Sequence, residues 1–244
     1  MERVPVPIGK YTVHIRSILS YTKPPIVLVH GLGVSGDYYI EYAKSLSEFF
    51  DVYIIDLPGY GKTPKPIKSL TIVQLSQVLL KYIQKEGIRN STLVGQSMGC
   101  QIVAHTLVSA PHLFKNSIFI APTVNIKERT VFMQGFRLWQ DTFREPLGAN
   151  LVVFTNYVRM GMRRFLITAN YMVNDHIEDT VKNIRIPVLL ATGSNDKIVP
   201  RAWVDYLAEE TPHGKAVVVM DAPHLLQYKK PKKLVEITRN FTKV

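Results

Sequence analysis

The strongest constraint on the fold of this chain is the alternation of short β-branched runs with longer helical patterns from residue 26 onwards. Such alternation is typical of a parallel sheet covered by helices on both faces. We predict strands at residues 26–30, 52–56, 92–95, 117–121, 188–192 and 216–220 and helices at residues 37–49, 71–86, 98–109, 201–209 and 231–241. A hairpin of residues 4–8 and 11–15 is expected to precede them, because apolar and polar side chains alternate there.

One interval, residues 123–186, interrupts the alternation, since it has aromatic and methionine side chains at helical spacing and no convincing strand. We therefore predict an α/β core formed by residues 1–122 and 187–244, with residues 123–186 inserted as a small helical cap. The core is expected to be a mostly parallel, doubly wound sheet.

Four aromatic residues in the predicted cap form a stripe, because Phe132, Phe136, Trp139 and Phe143 recur at intervals of four, three and four residues. Such spacing places them along one face of a helix. Stripes of this kind often pack against a core, but an insertion over a sheet must cover something. We expect some of the four to line an apolar substrate pocket.

Composition restricts the environment and the partners. The net charge is +11, but the basic residues are dispersed, which favours a solvated surface, with no nucleic-acid partner and at most weak contact with lipid. The apolar runs are too short to span a bilayer, and the N-terminus lacks the form of a secretory signal. A single cysteine, Cys100, rules out an internal disulfide, so we expect a cytoplasmic protein. The oligomeric state stays open.

A G-x-S-x-G motif is centred on Ser97 and lies between a predicted strand and a predicted helix. A turn this tight requires small residues two positions before and after the serine, and it leaves the hydroxyl exposed. Because a serine hydroxyl is a weak nucleophile, it needs a base and a group that orients the base. Asp196 and His224 each follow a later strand, and the carboxyl ends of parallel strands meet at one edge of a sheet.

Two alternatives to these partners are weaker. His213 precedes its strand and would lie at the opposite edge, whereas Asp221 follows a strand and stays the reserve candidate for the acid.

Residues 31–36 match G-x-G-x-x-G, with Asp56 about twenty residues later, which is a dinucleotide-binding pattern. That rival leaves Ser97, Asp196 and His224 unexplained. The histidines are scattered without metal-ligand spacing, so no metal site is expected.

Together these residues resemble the α/β-hydrolase fold family, in which the chain order is Ser, Asp, His. The resemblance covers nearly the whole chain and includes the loops at residues 30–33 and 56–61. It implies that the backbone N–H groups of Leu32 and Met98 form the oxyanion hole, with Gly33 as the alternative to Leu32, and that no cofactor is needed.

The chain is accordingly expected to be a serine hydrolase, a carboxylesterase or small lipase. It would cleave a carboxylic ester of a small, largely apolar substrate through an acyl-enzyme on Ser97. A carbon–carbon bond hydrolase, a lyase and a cofactor-free perhydrolase stay open on the same triad. A ligand receptor with a nearly silent triad is the alternative of another class, and multiple turnover of short nitrophenyl esters would distinguish it from an enzyme.

Overall fold

Eight strands form one sheet in the computed structural model, which describes residues 1–143, 145 and 147–244, with the backbone alone at residue 147. In chain order the strands are β1 Val4–Ile8, β2 Tyr11–Ile18, β3 Pro25–Val29, β4 Asp51–Asp56, β5 Ser91–Gln96, β6 Phe114–Ile120, β7 Val188–Gly193 and β8 Gly214–Val219. Their order across the sheet is β1-β2-β4-β3-β5-β6-β7-β8. β1 is antiparallel to β2, and β2 is antiparallel to β4. The six strands β3 to β8 all run parallel to one another.

Burial follows the position of each strand in the sheet. All residues of β5 and β7 are buried, as expected for central strands of a parallel sheet that is covered on both faces. β1 is largely exposed and contains Pro5 and Pro7, which an edge strand tolerates because one side of its backbone needs no partner. The α/β class and the mostly parallel sheet expected from the sequence are confirmed.

Helices flank the sheet. In the described residues they are α1 Ile40–Leu46, α2 Ile72–Lys85, α3 Met98–Ser109, α4 Val131–Thr142, α5 Leu147–Met160, α6 Met162–Val173, α7 Ile177–Val181, α8 Arg201–Glu210, α9 Leu226–Lys229 and α10 Pro231–Thr242. α1 contacts α9 and α10. In a second group, α2 contacts α3, α3 contacts α7 and α7 contacts α8. Within the described residues, every helix is too short or too polar to traverse a bilayer.

Local signals explain where several helices begin. The Thr71 hydroxyl accepts a hydrogen bond from the backbone N–H of Gln74, and the Gln74 side chain accepts one from the N–H of Thr71, which closes a capping box at the start of α2. Thr130 caps α4 in the same way by accepting from the N–H of Met133. Pro231 occupies the first position of α10, where its missing N–H costs nothing.

The structure differs from the predicted elements mainly at two places. β2 continues to Ile18 because its second half pairs with β4, a long-range contact that alternation in sequence does not reveal. The predicted helix at 37–49 begins instead with a 3-10 turn, Gly36–Tyr39, before α1. Between β6 and β7 the described residues form a 3-10 turn, Ile126–Glu128, and the four α-helices α4 to α7. We refer to residues 123–186 as the helical segment.

Candidate active site

Ser97 lies at a strained turn between β5 and α3, with φ 54° and ψ −123°. A Cβ atom on Gly95 would lie 2.6 Å from the carbonyl oxygen of Gly99, and one on Gly99 would lie 2.5 Å from that of Val29. Both positions therefore require glycine. This close approach of α3 to the strands forces the turn and leaves the Ser97 side chain at the carboxyl edge of the sheet, where it lines a cavity.

His224 and Asp196 form a buried hydrogen-bonded pair, with His224 Nδ1 2.9 Å from Asp196 Oδ2. The other carboxylate oxygen, Asp196 Oδ1, accepts hydrogen bonds from the backbone N–H groups of Ile198 (2.7 Å) and Val199 (2.9 Å). Three donors thus fix the carboxylate. The carboxylate in turn fixes the imidazole through Nδ1, which leaves Nε2 for another partner.

The two loops that carry this pair are joined by their backbones. The N–H of Asn195 donates to the carbonyl of Ala222 at 3.0 Å, and the N–H of Ser194 donates to Val219 at 2.9 Å. A Cβ atom on Gly193 would lie only 2.0 Å from the carbonyl oxygen of Ala222. The pairing of the two loops therefore depends on glycine at position 193.

The alternative residues for the pair lie elsewhere. Asp221 is exposed, and its backbone N–H donates to the hydroxyl of Ser194. His213 is also exposed and directly precedes β8, at the opposite end of that strand from His224. The structure therefore pairs His224 with Asp196, and neither alternative takes part.

Ser97 and His224 line the same cavity. Within the described part of the chain no hydrogen bond joins them, and catalytic hydrogen bonds are often long in ligand-free structures. Burial lowers the pKa of His224, but the Asp196 carboxylate, with Asp141 and Glu145, outweighs burial and raises this pKa to about 9.

Of the two residues whose backbone N–H groups were expected to form an oxyanion hole, Met98 directly follows Ser97 and Leu32 lines the same cavity. Met98 is the first residue of α3, so its N–H has no acceptor within the helix. Leu32 follows β3, the strand beside β5, and lines the cavity. The loop at Leu32 is held by Tyr38, whose hydroxyl accepts from the N–H of Gly31 at 3.0 Å and donates to Gln96 Oε1 at 3.1 Å.

The residues that suggested a dinucleotide site are used for packing. The Asp56 carboxylate is fully buried, accepts a 2.6 Å hydrogen bond from the N–H of Gly36 and forms ion pairs with Arg3 and Arg16. A Cβ atom on Gly33 would lie 2.3 Å from the Tyr157 ring. Asp56 therefore has protein partners for its charge, and its Oδ1 accepts hydrogen bonds from Gly36 and Arg16.

The cavity beside Ser97 contains about 820 Å³ of empty space, open solvent at its mouth included. Its apolar wall comes from the loop after β3 and from the helical segment, and includes Leu32, Leu138, Val153, Tyr157, Phe165 and Met172. It is the volume that a substrate of Ser97 would occupy.

The assignment of the four aromatic residues to this pocket is wrong. Phe132, Phe136, Trp139 and Phe143 are exposed by 81%, 42%, 59% and 74%, and none of them lines the cavity. Three of them interact with one another: Phe136 stacks on Trp139, which contacts the edge of Phe143. The physical reason is that α4 has two stripes of side chains at helical spacing. Packing turns the aromatic stripe to solvent and the second stripe towards the cavity.

The inward stripe of α4 contributes residues that sequence reasoning missed. It contains Val131, Gln134, Leu138 and Asp141, which recur at intervals of three, four and three. Glu145, four residues after Asp141, also lines the cavity. The available signal was a pair of acidic residues in a segment rich in arginine, but an amphipathic helix normally turns such residues to solvent.

Groups that could hold a metal ion are few. Among the described residues, one cluster, His176, Glu178 and Asp179, has ligand atoms close together, and His176 and Asp179 are exposed. Glu178 already forms an ion pair with Arg129 at 2.5 Å. Nothing in this cluster approaches Ser97 or the cavity it lines.

Comparison with known proteins gives the family. A sequence model described as the alpha/beta hydrolase fold matches residues 24–157, more than half of the chain. The pimeloyl-[acyl-carrier protein] methyl ester esterase of Vibrio cholerae is 23% identical over 225 residues, which cover 82% of this chain and 86% of that enzyme. Ethanol acetyltransferase 1 of Hanseniaspora uvarum is 28% identical over 137 residues, 52% of this chain and 41% of that protein.

Solved structures agree on the fold. A thermophilic esterase from Thermogutta terrifontis superposes with a TM-score of 0.84 at 18% identity, covering 100% of this chain and 98% of the esterase. A 2-hydroxy-6-oxo-6-phenylhexa-2,4-dienoate hydrolase from Rhodococcus gives a TM-score of 0.80 at 20% identity, covering 100% and 99%. The sheet order, the serine turn and the sequence match lead to one conclusion: this chain belongs to the alpha/beta hydrolase fold family.

Proposed function

We propose that the chain is a serine esterase that cleaves a carboxylic ester of a small, largely apolar substrate through an acyl-enzyme on Ser97. The observation that carries this proposal is the 2.9 Å bond between His224 and Asp196 at the wall of the same cavity that Ser97 lines. Relatives named as methyl ester esterases support ester cleavage. The helical segment would act as the cap over this cavity.

The first half of the reaction forms the acyl-enzyme. Ser97 Oγ attacks the carbonyl carbon of the ester while Nε2 of a neutral His224 accepts the hydroxyl proton. The N–H groups of Leu32 and Met98 donate to the negative oxygen of the tetrahedral intermediate. The bond to the leaving alkoxide then breaks, and the alkoxide takes the proton from His224 and departs as the alcohol.

The second half releases the acid. Water attacks the acyl carbon and gives its proton to His224, and the bond from this carbon to Ser97 Oγ breaks as the serine recovers a proton. Asp196 stays ionised throughout and stabilises the imidazolium through Nδ1. Apart from the ester and water, these steps use only groups of the chain.

Covalent labelling tests the nucleophile. We expect a fluorophosphonate probe to label the wild-type protein and not Ser97→Ala, because the probe phosphonylates only an activated hydroxyl. Ser109→Ala is the matched control, since Ser109 is an exposed serine at the end of the same helix α3. Equal labelling of the wild type and Ser97→Ala would remove the proposed nucleophile.

A further inference from the structure

One end of the cavity, next to the loop of His224, is acidic. Asp141 on α4 is buried, Glu145 is partly buried, and both line the cavity. Glu145 Oε1 accepts a 2.7 Å hydrogen bond from the backbone N–H of Leu225, the residue after His224. The helical segment thus places two carboxyl groups close to the reacting groups.

The backbone N–H groups of Lys197 and Leu225 interact with Asp141 and Glu145, but each carboxyl group is only partly satisfied. Asp141 Oδ1 and Glu145 Oε2 are buried, and neither receives a hydrogen bond from an N–H or hydroxyl group in the described residues. The two groups interact with each other, and burial followed by this neighbour raises the pKa of Glu145 to about 8. Burial also raises the pKa of Asp141.

The described residues supply one cationic group beside the two acids, the His224 imidazole, and the Asp196 carboxylate already balances its charge. Among the described residues that line the cavity there is no lysine or arginine, although the chain as a whole carries a net charge of +11. The ionisable groups that face the two acids are His224 and Asp196, and the imidazole is already paired with the Asp196 carboxylate. Burying acidic groups in an apolar cavity is costly unless a donor or a cation satisfies them.

We propose that Asp141 and Glu145 bind an ammonium group of the substrate, so that the cavity selects esters with a cationic substituent over neutral esters of the same shape. The inference rests on the proposed esterase function and names its substrate class. An ammonium group would replace the proton that the two carboxyl groups share and would satisfy both free oxygens. The remaining wall of the cavity is apolar and includes Leu138 and Met172, so it suits the hydrocarbon part of such an ester.

Two esters of matched shape test the selection. 3-Ammoniopropyl butyrate and butyl butyrate have the same shape and differ only in an ammonium group in place of a methyl group. Calorimetric titration of Ser97→Ala with each ester measures affinity without turnover. We expect the cationic ester to bind about tenfold tighter or more, as for a charged group placed against a buried carboxylate.

Two further variants assign the effect to the acids. In the Ser97→Ala background, Asp141→Asn and Glu145→Gln should each abolish most of the preference, because each removes a negative charge with little change of shape. Asp205→Asn in the same background is the matched control: Asp205 lies on α8, is partly exposed and pairs with Arg201, so the preference should persist. A misfolded variant would lose affinity for both esters, whereas lost charge recognition lowers only the affinity for the cation.

The outcomes separate this inference from the proposed function. Equal affinity of Ser97→Ala for the two esters, or a preference that survives both acid substitutions, overturns the inference. A clear preference that disappears with either acid supports it, whether or not the wild type hydrolyses these esters. Failure of the esterase proposal would appear separately, as absence of turnover and of labelling at Ser97 in the wild type.

Discussion

The carboxyl edge of the sheet and helix α4 illustrate two ways in which a chain places side chains around one cavity. At the sheet edge, several backbone contacts fix each position: Gly95 and Gly99 leave a single path for the serine turn, and Gly193 joins the loops of the buried pair. On α4, either of two stripes satisfies the helical period, and only packing decides which one faces inward. Reactive groups therefore lie where close backbone contacts fix their position. Asp141, one of the residues proposed to select substrate, lies on a helix whose inward face is decided by packing alone.

The largest effect is expected at the sheet edge, where the proposed catalytic residues lie. We expect Asp196→Asn to lower kcat by about 10⁴-fold, because an asparagine cannot stabilise the imidazolium and favours the wrong tautomer. Steady-state hydrolysis of a short nitrophenyl ester measures this. Asp221→Asn, which changes an exposed carboxylate in the next loop, should keep near wild-type rates; the reverse pattern would move the acid to position 221.

Replacing one glycine by alanine in each region should change the free energy of unfolding in opposite directions. Gly193→Ala should lower the free energy of unfolding by about 3 kcal/mol or more, because its new methyl group would overlap a backbone oxygen that cannot move alone. Gly135→Ala on α4 should raise it by about 0.5–1 kcal/mol, since no atom lies within 4 Å of the new Cβ and alanine favours a helix. Denaturant unfolding of both variants gives the two values, and similar values would contradict the contrast.

The acids of the helical segment should also act on the base at the sheet edge. His224 accepts a proton only when neutral, so a pKa of about 9 means that kcat/KM for a neutral ester increases with pH and levels off above about 9. From pH 7 to pH 9 or above, the increase should be about a hundredfold at most. The pH profile of kcat/KM measures this dependence.

A matched variant sharpens the pH profile. Asp141 and Glu145 both raise the pKa of His224, so Glu145→Gln should shift the rising limb to lower pH. Glu236→Gln, which changes an exposed residue of α10, should leave the limb in place. A limb that does not move in Glu145→Gln would show that the helical segment has no electrostatic effect on the imidazole.

The smallest effect belongs to the outer face of α4. Phe132→Ser should change kcat/KM by less than about twofold and stability by less than about 0.5 kcal/mol, because its side chain is exposed. Leu138→Ala, on the inner face of the same helix, should raise KM for apolar esters. If the two variants exchanged these effects, the assignment of the faces would be reversed.

What the sequence could predict follows from the same contrast. The positions of the strands along the chain and the place of Ser97 depend on local signals: apolar runs, a glycine on either side and the rule that ligands bind at carboxyl ends of strands. The pairing of β2 with β4 and the inner face of α4 depend on contacts between distant segments. Asp141 was therefore missed, since no local property distinguishes a buried acid from a solvated one.

The bond between Glu145 and the backbone of Leu225 has a mechanical consequence. Displacement of Glu145 away from the sheet would break a contact one residue from the imidazole. The helical segment and the loop of His224 are therefore coupled at this bond, so that a shift of either one is transmitted to the other.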